Sequence, residues 1–163
     1  MGQFFAVFAT DHPDSLALRQ RLRPSHQAHL RGTDAHRVVV RLDSDEFRRV
    51  RRSGSRFEVG AGVDLMPLAR ACSREGLSGL EALAGIPATI GGSIRMNAGG
   101  PAGEMGDVVE EITVLTPEKK VETRNCEQIG FGYRHTNLDG GDIILSAALK
   151  LNARLRRGYD GRK

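Results

Sequence analysis

A glycine-dense segment that still carries aliphatic side chains most constrains how this chain can fold. Residues 85–104 read GIPATIGGSIRMNAGGPAGE, with glycine at six of twenty positions and only Arg95 and Glu104 charged. Flexible linkers lack aliphatic residues, so the segment is typical of packed backbone that comes close to a bulky group. Glycine permits this approach because it lacks Cβ and readily adopts φ > 0. Bare N–H groups can then face the carbonyl or phosphate oxygens of a ligand.

The rest of the composition narrows the class of protein. The 163 residues suffice for one domain or two small ones, and a hydrophobic content of 39% predicts a packed core. The chain has no run of about eighteen apolar residues, so no membrane span is expected. Residues 1–14 lack a basic stretch and contain Asp11, which is unlike a secretory signal. We therefore predict a cytoplasmic protein in which Cys72 and Cys126 are reduced thiols.

Charge is concentrated in two basic stretches, at residues 48–56 and 154–163, within a net charge of +4. Nucleic-acid binders share this property, but the chain has only two Tyr and no Trp to stack on bases. We predict no nucleic-acid partner, a solvated face at 48–56, and a preference for anionic substrates. His26 and His29 stand one helical turn apart but have no evident third ligand, so no metal site is predicted.

Local patterns predict strands, a hairpin and two helices. The strands are expected at 3–10, 37–42, 56–60 and 143–151, and the hairpin pairs 108–116 with 120–123 across a turn at 117–119. One helix begins after residue 14 or 15, and another begins after Asp64 as its cap and ends at Gly76. The second helix has one apolar face, formed by Leu65, Leu68, Ala69 and Cys72.

Three segments together resemble one family. They are GLSGLE at 76–81, GIPATIGGSIRMNAGG at 85–100 and GFGYRHT at 130–136. In this order and spacing they are similar to UDP-N-acetylenolpyruvoylglucosamine reductase, also called UDP-N-acetylmuramate dehydrogenase, over about residues 37–151. The resemblance implies an α/β (α+β) chain containing the second subdomain of a vanillyl-alcohol-oxidase-type (PCMH-type) FAD-binding domain, preceded by a short βα unit. The expected parts are a βα fragment at 1–36, the partial FAD-binding domain at 37–152 and a basic tail at 153–163.

The resemblance implies that FAD lies against the glycine-rich segment. Its cofactor-binding residues would then be Gly85, Ile86, Pro87, Ala88 and Thr89 through their backbone, Gly91 and Gly92 through close approach, and Asn97 and Ala98 on the flavin side. The family usually has glycine where this chain has Ala88. If that position requires positive φ, alanine would cost about 1 kcal/mol or more.

Tyr133 and Arg134 match the Tyr-Arg pair of the family's active site. The resemblance implies that both bind substrate and that Arg134 is catalytic, because a planar, permanently charged guanidinium suits an enolate whose charge grows in the transition state. The implied reaction passes hydride from NADPH, by way of FAD, to UDP-N-acetylglucosamine enolpyruvate. The product, UDP-N-acetylmuramate, is a peptidoglycan precursor used in building the cell wall. A surface salt bridge for Arg134 and a core position for Tyr133 are the plainer alternatives.

Two parts of the family pattern have no counterpart in this sequence. They are a Gly-Ser-Asn phosphate loop before residue 37, and a substrate domain with a Ser or Cys proton donor and a late Glu after residue 152. Residues 1–31 instead resemble the opening half of the YCII-related family, whose Asp and His would match Asp11 and His26. Two other functions therefore stay open: a flavin-binding remnant without turnover, and a YCII-like small protein with a fused passenger. Because a partial domain leaves apolar surface uncovered, self-association is expected.

Overall fold

The structure is a computed structural model that describes residues 7–9, 37–39, 42 and 44–153. Outside these ranges lie the predicted first helix, the basic tail from residue 154, and three residues singled out in the sequence: Asp11, His26 and His29. Their predicted roles therefore stay predictions.

Two short strands, β1 (Val7–Ala9) and β2 (Arg37–Val39), pair antiparallel, with Phe8 opposite Val38. Both strands lie inside segments predicted to be extended. The pairing joins the segment that resembles the YCII-related family to the start of the segment that resembles the flavoenzyme.

The main sheet has five antiparallel strands in the order β3-β4-β10-β8-β9. The strands of the structure are β3 (Val50–Ser53), β4 (Arg56–Gly60), β5 (Leu77–Ser78), β6 (Gly99–Gly100), β7 (Gly103–Glu104), β8 (Val109–Leu115), β9 (Val121–Asn125), β10 (Ile143–Lys150) and β11 (Asn152–Ala153). The short strands pair as β5 with β11 and β6 with β7. The four predicted strands of the main sheet are confirmed. The edge strand β3 was not predicted, because its residues are all exposed and show no alternation of apolar and polar side chains.

The core lies on one face of the main sheet. Along β4, Val59 is buried whereas its neighbour Glu58 is exposed. Val59 stands opposite Ala147 of β10, which stands opposite Ile112 of β8, and all three are buried. This row of cross-strand neighbours forms the floor on which the helices pack.

Helix α1 (Leu65–Arg74) buries Leu65, Leu68, Ala69 and Cys72, as its apolar periodicity predicted. It ends before Gly76, whose φ of +74° suits glycine. Asp64 stands at the N-cap, but its side chain makes no capping hydrogen bond, so that predicted role is wrong. A capping side chain accepts from the amide of the second or third residue of a helix, and the third residue here is Pro67, which has no N–H group. The first amide, on Leu65, donates to the carbonyl oxygen of Ala88 at 2.9 Å.

A short helix, α2 (Ile90–Arg95), forms inside the glycine-rich segment. Thr89 caps it by accepting a hydrogen bond from the amide of Gly92 at 3.3 Å. Ile90 and Ile94 lie one turn apart and are fully buried. The aliphatic residues of the segment are therefore core anchors. The helix was not predicted, because the low helix propensity of adjacent glycines conceals it.

The predicted hairpin joins β8 to β9, and Lys119 adopts φ +64° in its turn. Helix α3 (Cys126–Ile129) follows β9 directly and begins with a capping box between Asn125 and Gln128. Gly130 ends it in the left-handed conformation, with φ +59°. The chain then enters the loop that carries the Tyr-Arg pair.

The first basic stretch is only partly a solvated face. Its arginines at 48, 49, 51 and 52 are exposed, as expected. Arg56, by contrast, lies 2.6 Å from the carboxylates of both Glu110 and Glu111 on β8.

Within the part of the chain that the structure describes, no helix has the length and apolar character needed to cross a membrane.

Candidate functional site

The first five residues of the glycine-rich segment form an accessible edge. Gly85 and Pro87 are exposed, and Ile86, Ala88 and Thr89 are half-buried. Gly85 has φ +95°, and nothing lies within 4 Å of the position that a Cβ would take there. Such a backbone, free of side chains on one side, can lie against a flat or phosphate-bearing ligand.

Two amide groups along this edge remain available to a ligand. The amide of Ala88 donates to Ile86 at 3.0 Å, and its carbonyl oxygen accepts from the first amide of α1. Pro87 has no N–H group. The described residues provide no acceptor for the N–H groups of Gly85 and Thr89, which makes these two the donors of the edge.

Alanine at position 88 is compatible with this backbone. Among the described residues other than glycine, positive φ is found at Asn97, Lys119 and Arg134. Ala88 therefore has an ordinary backbone conformation, and the strain that would arise from replacing a left-handed glycine does not occur.

Gly91 makes its close approach to Ala61 of the protein itself. A Cβ on Gly91 would stand 2.9 Å from the Cβ of Ala61, and its amide donates to the carbonyl oxygen of Ala61 at 2.8 Å. The amide of Gly92 is taken by Thr89. The first amides of α2 are thus satisfied within the protein, and contacts of Gly91 and Gly92 with a cofactor stay predictions.

Two further glycines, which were not singled out in the sequence, allow a close backbone approach on either side of Ala61. A Cβ on Gly60 would stand 2.2 Å from the carbonyl oxygen of Phe47, and one on Gly62 would stand 1.9 Å from that of Leu42. Glycines at alternate positions where a predicted strand ends are the signal that could have revealed them. They let the segment before β3 lie directly on the chain that leads into α1.

The predicted Tyr-Arg pair lies in an accessible loop, the arm, defined here as residues 130–136. Tyr133 is 89% exposed, and Arg134 is exposed and has φ +54°. The Cζ of Arg134 lies 5.8 Å from the centre of the Tyr133 ring, so the guanidinium stacks over the aromatic face. A core position for Tyr133 is therefore excluded.

Asn97 joins the glycine-rich segment to the arm. It is 2% exposed; its Nδ2 donates to the carbonyl oxygen of Gly132 at 3.0 Å, and its Oδ1 accepts from the amide of Gly106 at 2.9 Å. Ala98 is also buried, and both its backbone groups are bonded within the protein. These bonds give Asn97 a structural task within the protein, and the role predicted for Asn97 and Ala98, contact with the flavin, stays a prediction.

The far end of the arm is also fixed. The hydroxyl of Thr136 donates to the carbonyl oxygen of Arg95 at 3.1 Å. The guanidinium of Arg95 in turn donates to the carbonyl oxygens of Leu138, Asp139 and Asp142. Burial lowers the pKa of Arg95 from its usual value, and the nearby carboxylates oppose that effect. The Tyr-Arg pair is thus carried on a loop with attachments on both sides.

A cavity of about 520 Å³ lies elsewhere, beside residues 46–51 and the exposed side of the main sheet. Its lining includes Glu58, Thr113 and Ser146, and no residue of the glycine-rich segment or the arm. The candidate site residues at 85–89 and at 133–134 therefore lie outside this cavity, on two accessible segments.

Comparison with known proteins shows which family the chain belongs to. The FAD binding domain family matches residues 21–124, which contain the whole glycine-rich segment. The chain belongs to the FAD binding domain family. The expected α/β FAD-binding fold and the expected cofactor of the family are therefore confirmed.

Two relatives and one solved structure are similar over a large part of the chain. UDP-N-acetylenolpyruvoylglucosamine reductase of Lactiplantibacillus plantarum is 39% identical over 106 residues, which cover 64% of this chain and 35% of the relative. The enzyme of the same name from Thermus thermophilus is 37% identical over 143 residues, covering 83% of this chain and 54% of the relative. The crystal structure of UDP-N-acetylenolpyruvylglucosamine reductase from Thermus caldophilus is 41% identical, with a TM-score of 0.63, and the match covers 68% of this chain and 40% of that one.

These matches confirm the resemblance to the reductase family and show its extent. The chain spans between about a third and about half of the length of these relatives. The match to the YCII-related family is not tested by them, and it stays a prediction.

The described residues of this FAD binding domain suit part of an FAD site. The amides of Gly85 and Thr89 can donate to polar atoms of the cofactor. Met96 is 52% exposed, and Met96 and Tyr133 each adjoin one end of the hydrogen bond between Asn97 and Gly132. Exposed apolar side chains carried on adjacent backbone suit a flat ring system.

Proposed function

We propose that this chain binds FAD and acts in the reduction of UDP-N-acetylglucosamine enolpyruvate to UDP-N-acetylmuramate, a step of peptidoglycan precursor synthesis. The relatives that bear the name of this enzyme support the proposal, as does the match of three motifs in one order. NADPH is proposed as the hydride donor by analogy with the family.

The observation that carries the proposal is the conformation of Arg134. A non-glycine residue with φ +54° is strained, by about 1 kcal/mol, and glycine would relieve that strain. Its guanidinium is exposed and forms no salt bridge with a described residue. Strain retained in order to present a charged side chain is typical of a functional position.

Each residue of the site then has a distinct task. Gly85 and Thr89 hold FAD with their amides, and the bound cofactor supplies the redox chemistry. The guanidinium of Arg134 stabilises the negative charge that grows on the enolpyruvyl group as it is reduced. The hydroxyl of Tyr133 hydrogen-bonds the substrate, and its ring supports the guanidinium from below.

The cofactor part of the proposal is tested by titrating the purified chain with FAD and following flavin fluorescence. Gly85→Ala should weaken FAD binding by about tenfold or more, since alanine is strained at φ +95° and the edge must shift. Gly76→Ala is the matched control, because Gly76 also has positive φ and open surroundings but is not one of the proposed cofactor-binding residues. Equal loss in both variants, or no binding by the unaltered chain, would overturn this part.

The substrate part is tested with the FAD-loaded chain and the UDP-sugar enolpyruvate. Arg134→Lys keeps the charge but loses the planar fork, so it should weaken substrate binding by about tenfold with little effect on FAD. Arg70→Lys, on the exposed side of α1, is the control. A chain that binds FAD but neither binds substrate nor is reduced by NADPH would instead be a flavin-binding remnant. The exposure of Tyr133 and Arg134 favours this second function.

A further inference from the structure

Asn97 combines an unusual backbone conformation with a buried polar side chain. Its φ of +40° is left-handed, a conformation that asparagine tolerates better than most residues. It is buried just beyond α2, and its backbone N–H donates to the carbonyl oxygen of Ile94 at 2.9 Å. The backbone thus turns sharply here and directs a polar side chain into the protein.

The carboxamide of Asn97 hydrogen-bonds to one acceptor and to one donor. Gly132 offers a carbonyl oxygen and Gly106 offers an N–H group, so the bonds require one donor and one acceptor on the same side chain. The terminal amide of asparagine supplies both at this length. The two partners also fix which atom is oxygen, because the flipped amide would set donor against donor and acceptor against acceptor.

Three segments meet at this side chain. Gly132 directly precedes Tyr133, and Gly106 lies in the 3-10 helix Met105–Asp107. A Cβ on Gly106 would stand 3.0 Å from the ring of Phe131, so the arm also packs against this turn. Removing the carboxamide would therefore break the bond that holds Gly132 of the arm to the glycine-rich segment and the bond that holds the segment to the turn, whereas Thr136 would still bond Arg95.

We propose that Asn97 is a positioning residue that sets the Tyr133–Arg134 pair against the cofactor-binding edge. It acts through the carbonyl oxygen of Gly132, and its side chain does not contact the flavin. The inference rests on the proposed function for the identity of the ligands. The attachment of the arm by Asn97 is a property of the protein alone and can be measured without them.

The decisive variant is Asn97→Asp. Aspartate keeps the size of the side chain, tolerates positive φ and still accepts from Gly106, but it cannot donate to Gly132 and places a carboxylate oxygen beside that carbonyl. Asn97→Gly relieves the backbone and loses both bonds. Asn125→Asp is the matched control, because the side chain of the exposed Asn125 only accepts, from the amide of Gln128 at the N-cap, and aspartate does the same.

Amide hydrogen exchange, resolved by NMR, reads the attachment directly. The amides of Gly132 and His135 each donate to the carbonyl oxygen of the other residue. In Asn97→Asp both should exchange about tenfold faster, while the amide of Gly106 changes by less than about threefold. In Asn97→Gly all three should exchange faster, and in Asn125→Asp none should. The amide of Ile112 in the buried sheet reports whether each variant is folded.

Ligand titrations separate positioning from contact. In Asn97→Asp the affinity for the UDP-sugar enolpyruvate should fall about tenfold, while that for FAD changes by less than about threefold. Unchanged exchange in the arm would overturn the proposal, and so would an equal loss of FAD affinity, which would mark Asn97 as a cofactor contact. If the unaltered chain binds no FAD, the proposed function fails, and hydrogen exchange alone decides whether Asn97 holds the arm.

Discussion

The guanidinium of Arg124 lies 2.5 Å from the carboxylate of Asp142, whose side chain has no exposed surface. Arg124 belongs to the edge strand β9, and Asp142 stands immediately before β10. The same carboxylate accepts from the amide of Asp139 at 3.0 Å. This ion pair therefore closes the segment between the arm and the last strand of the main sheet.

Loss of the Asp142 carboxylate should destabilise the protein strongly. Asp142→Ala leaves Arg124 without its buried partner, so the free energy of unfolding should fall by about 3 kcal/mol. Glu122→Gln is the control: Glu122 lies 3.5 Å from the same guanidinium but is well exposed, and its loss should cost less than about 1 kcal/mol. Urea unfolding measures both, and equal effects would contradict a special role for the buried pair.

A methyl group on Gly91 should also destabilise the protein. It would stand 2.9 Å from the Cβ of Ala61, so α2 must move away from the end of β4. We expect Gly91→Ala to lower the free energy of unfolding by about 1–3 kcal/mol. At Gly100 nothing lies within 4 Å of an added Cβ, so Gly100→Ala should change it by less than about 0.5 kcal/mol. Thermal unfolding that ranks the two variants in the opposite order would refute this packing argument.

Much of the sheet could be predicted because the burial of its strands requires a recognisable pattern of apolar residues. The strands that became β4, β8 and β10 alternate or run apolar, and α1 repeats its apolar residues at helical spacing. Helix α2 could not be predicted, because its stability comes from the burial of Ile90 and Ile94 and from the Thr89 cap rather than from local propensity. Strand β3 could not be predicted either. It is stabilised by pairing with β4, and an exposed strand whose residues do not alternate between apolar and polar has no sequence pattern that reveals such pairing.

Arg134→Gly should stabilise the fold while it removes the proposed function. Glycine adopts φ +54° without the clash that an arginine backbone suffers, and we expect a gain of about 0.5–1 kcal/mol after the greater freedom of the unfolded chain is counted. Lys119→Gly, at φ +64° in the hairpin turn, should gain a similar amount. The midpoint of thermal unfolding measures both gains. A clear loss of stability at Arg134 alone would show that its side chain is structural.

The two thiols should make stability fall at high pH. Burial raises the pKa of Cys72 and of Cys126 in the folded protein. Above the usual thiol pKa of about 8.5 the unfolded chain loses these protons first, so the folded state binds more protons and the free energy of unfolding decreases as pH rises. Replacing both cysteines by alanine should flatten this dependence above about pH 8.5. Identical pH profiles for the variant and the unaltered protein would contradict it.

The site could be predicted only as far as its motifs reach. The glycine-rich segment was recognisable from its residue types, and the Tyr-Arg pair from its resemblance to the family's motif. That Asn97 bonds to Gly132 was not, because the partners are thirty-five positions apart and no local pattern encodes their distance. Nor could the sequence show what Gly91 approaches, since the crowding atom belongs to Ala61, which lies thirty positions earlier, just beyond β4.

Gly60 and Gly62 face the carbonyl oxygens of Phe47 and Leu42, and their amides donate to Arg49 and Phe47. Anyone who wishes to express the sheet by itself should therefore begin the chain at residue 42 or earlier. A polypeptide trimmed to the first residue of β3 would strip the acceptors from both amides and leave the end of β4, on which α2 rests, open to solvent.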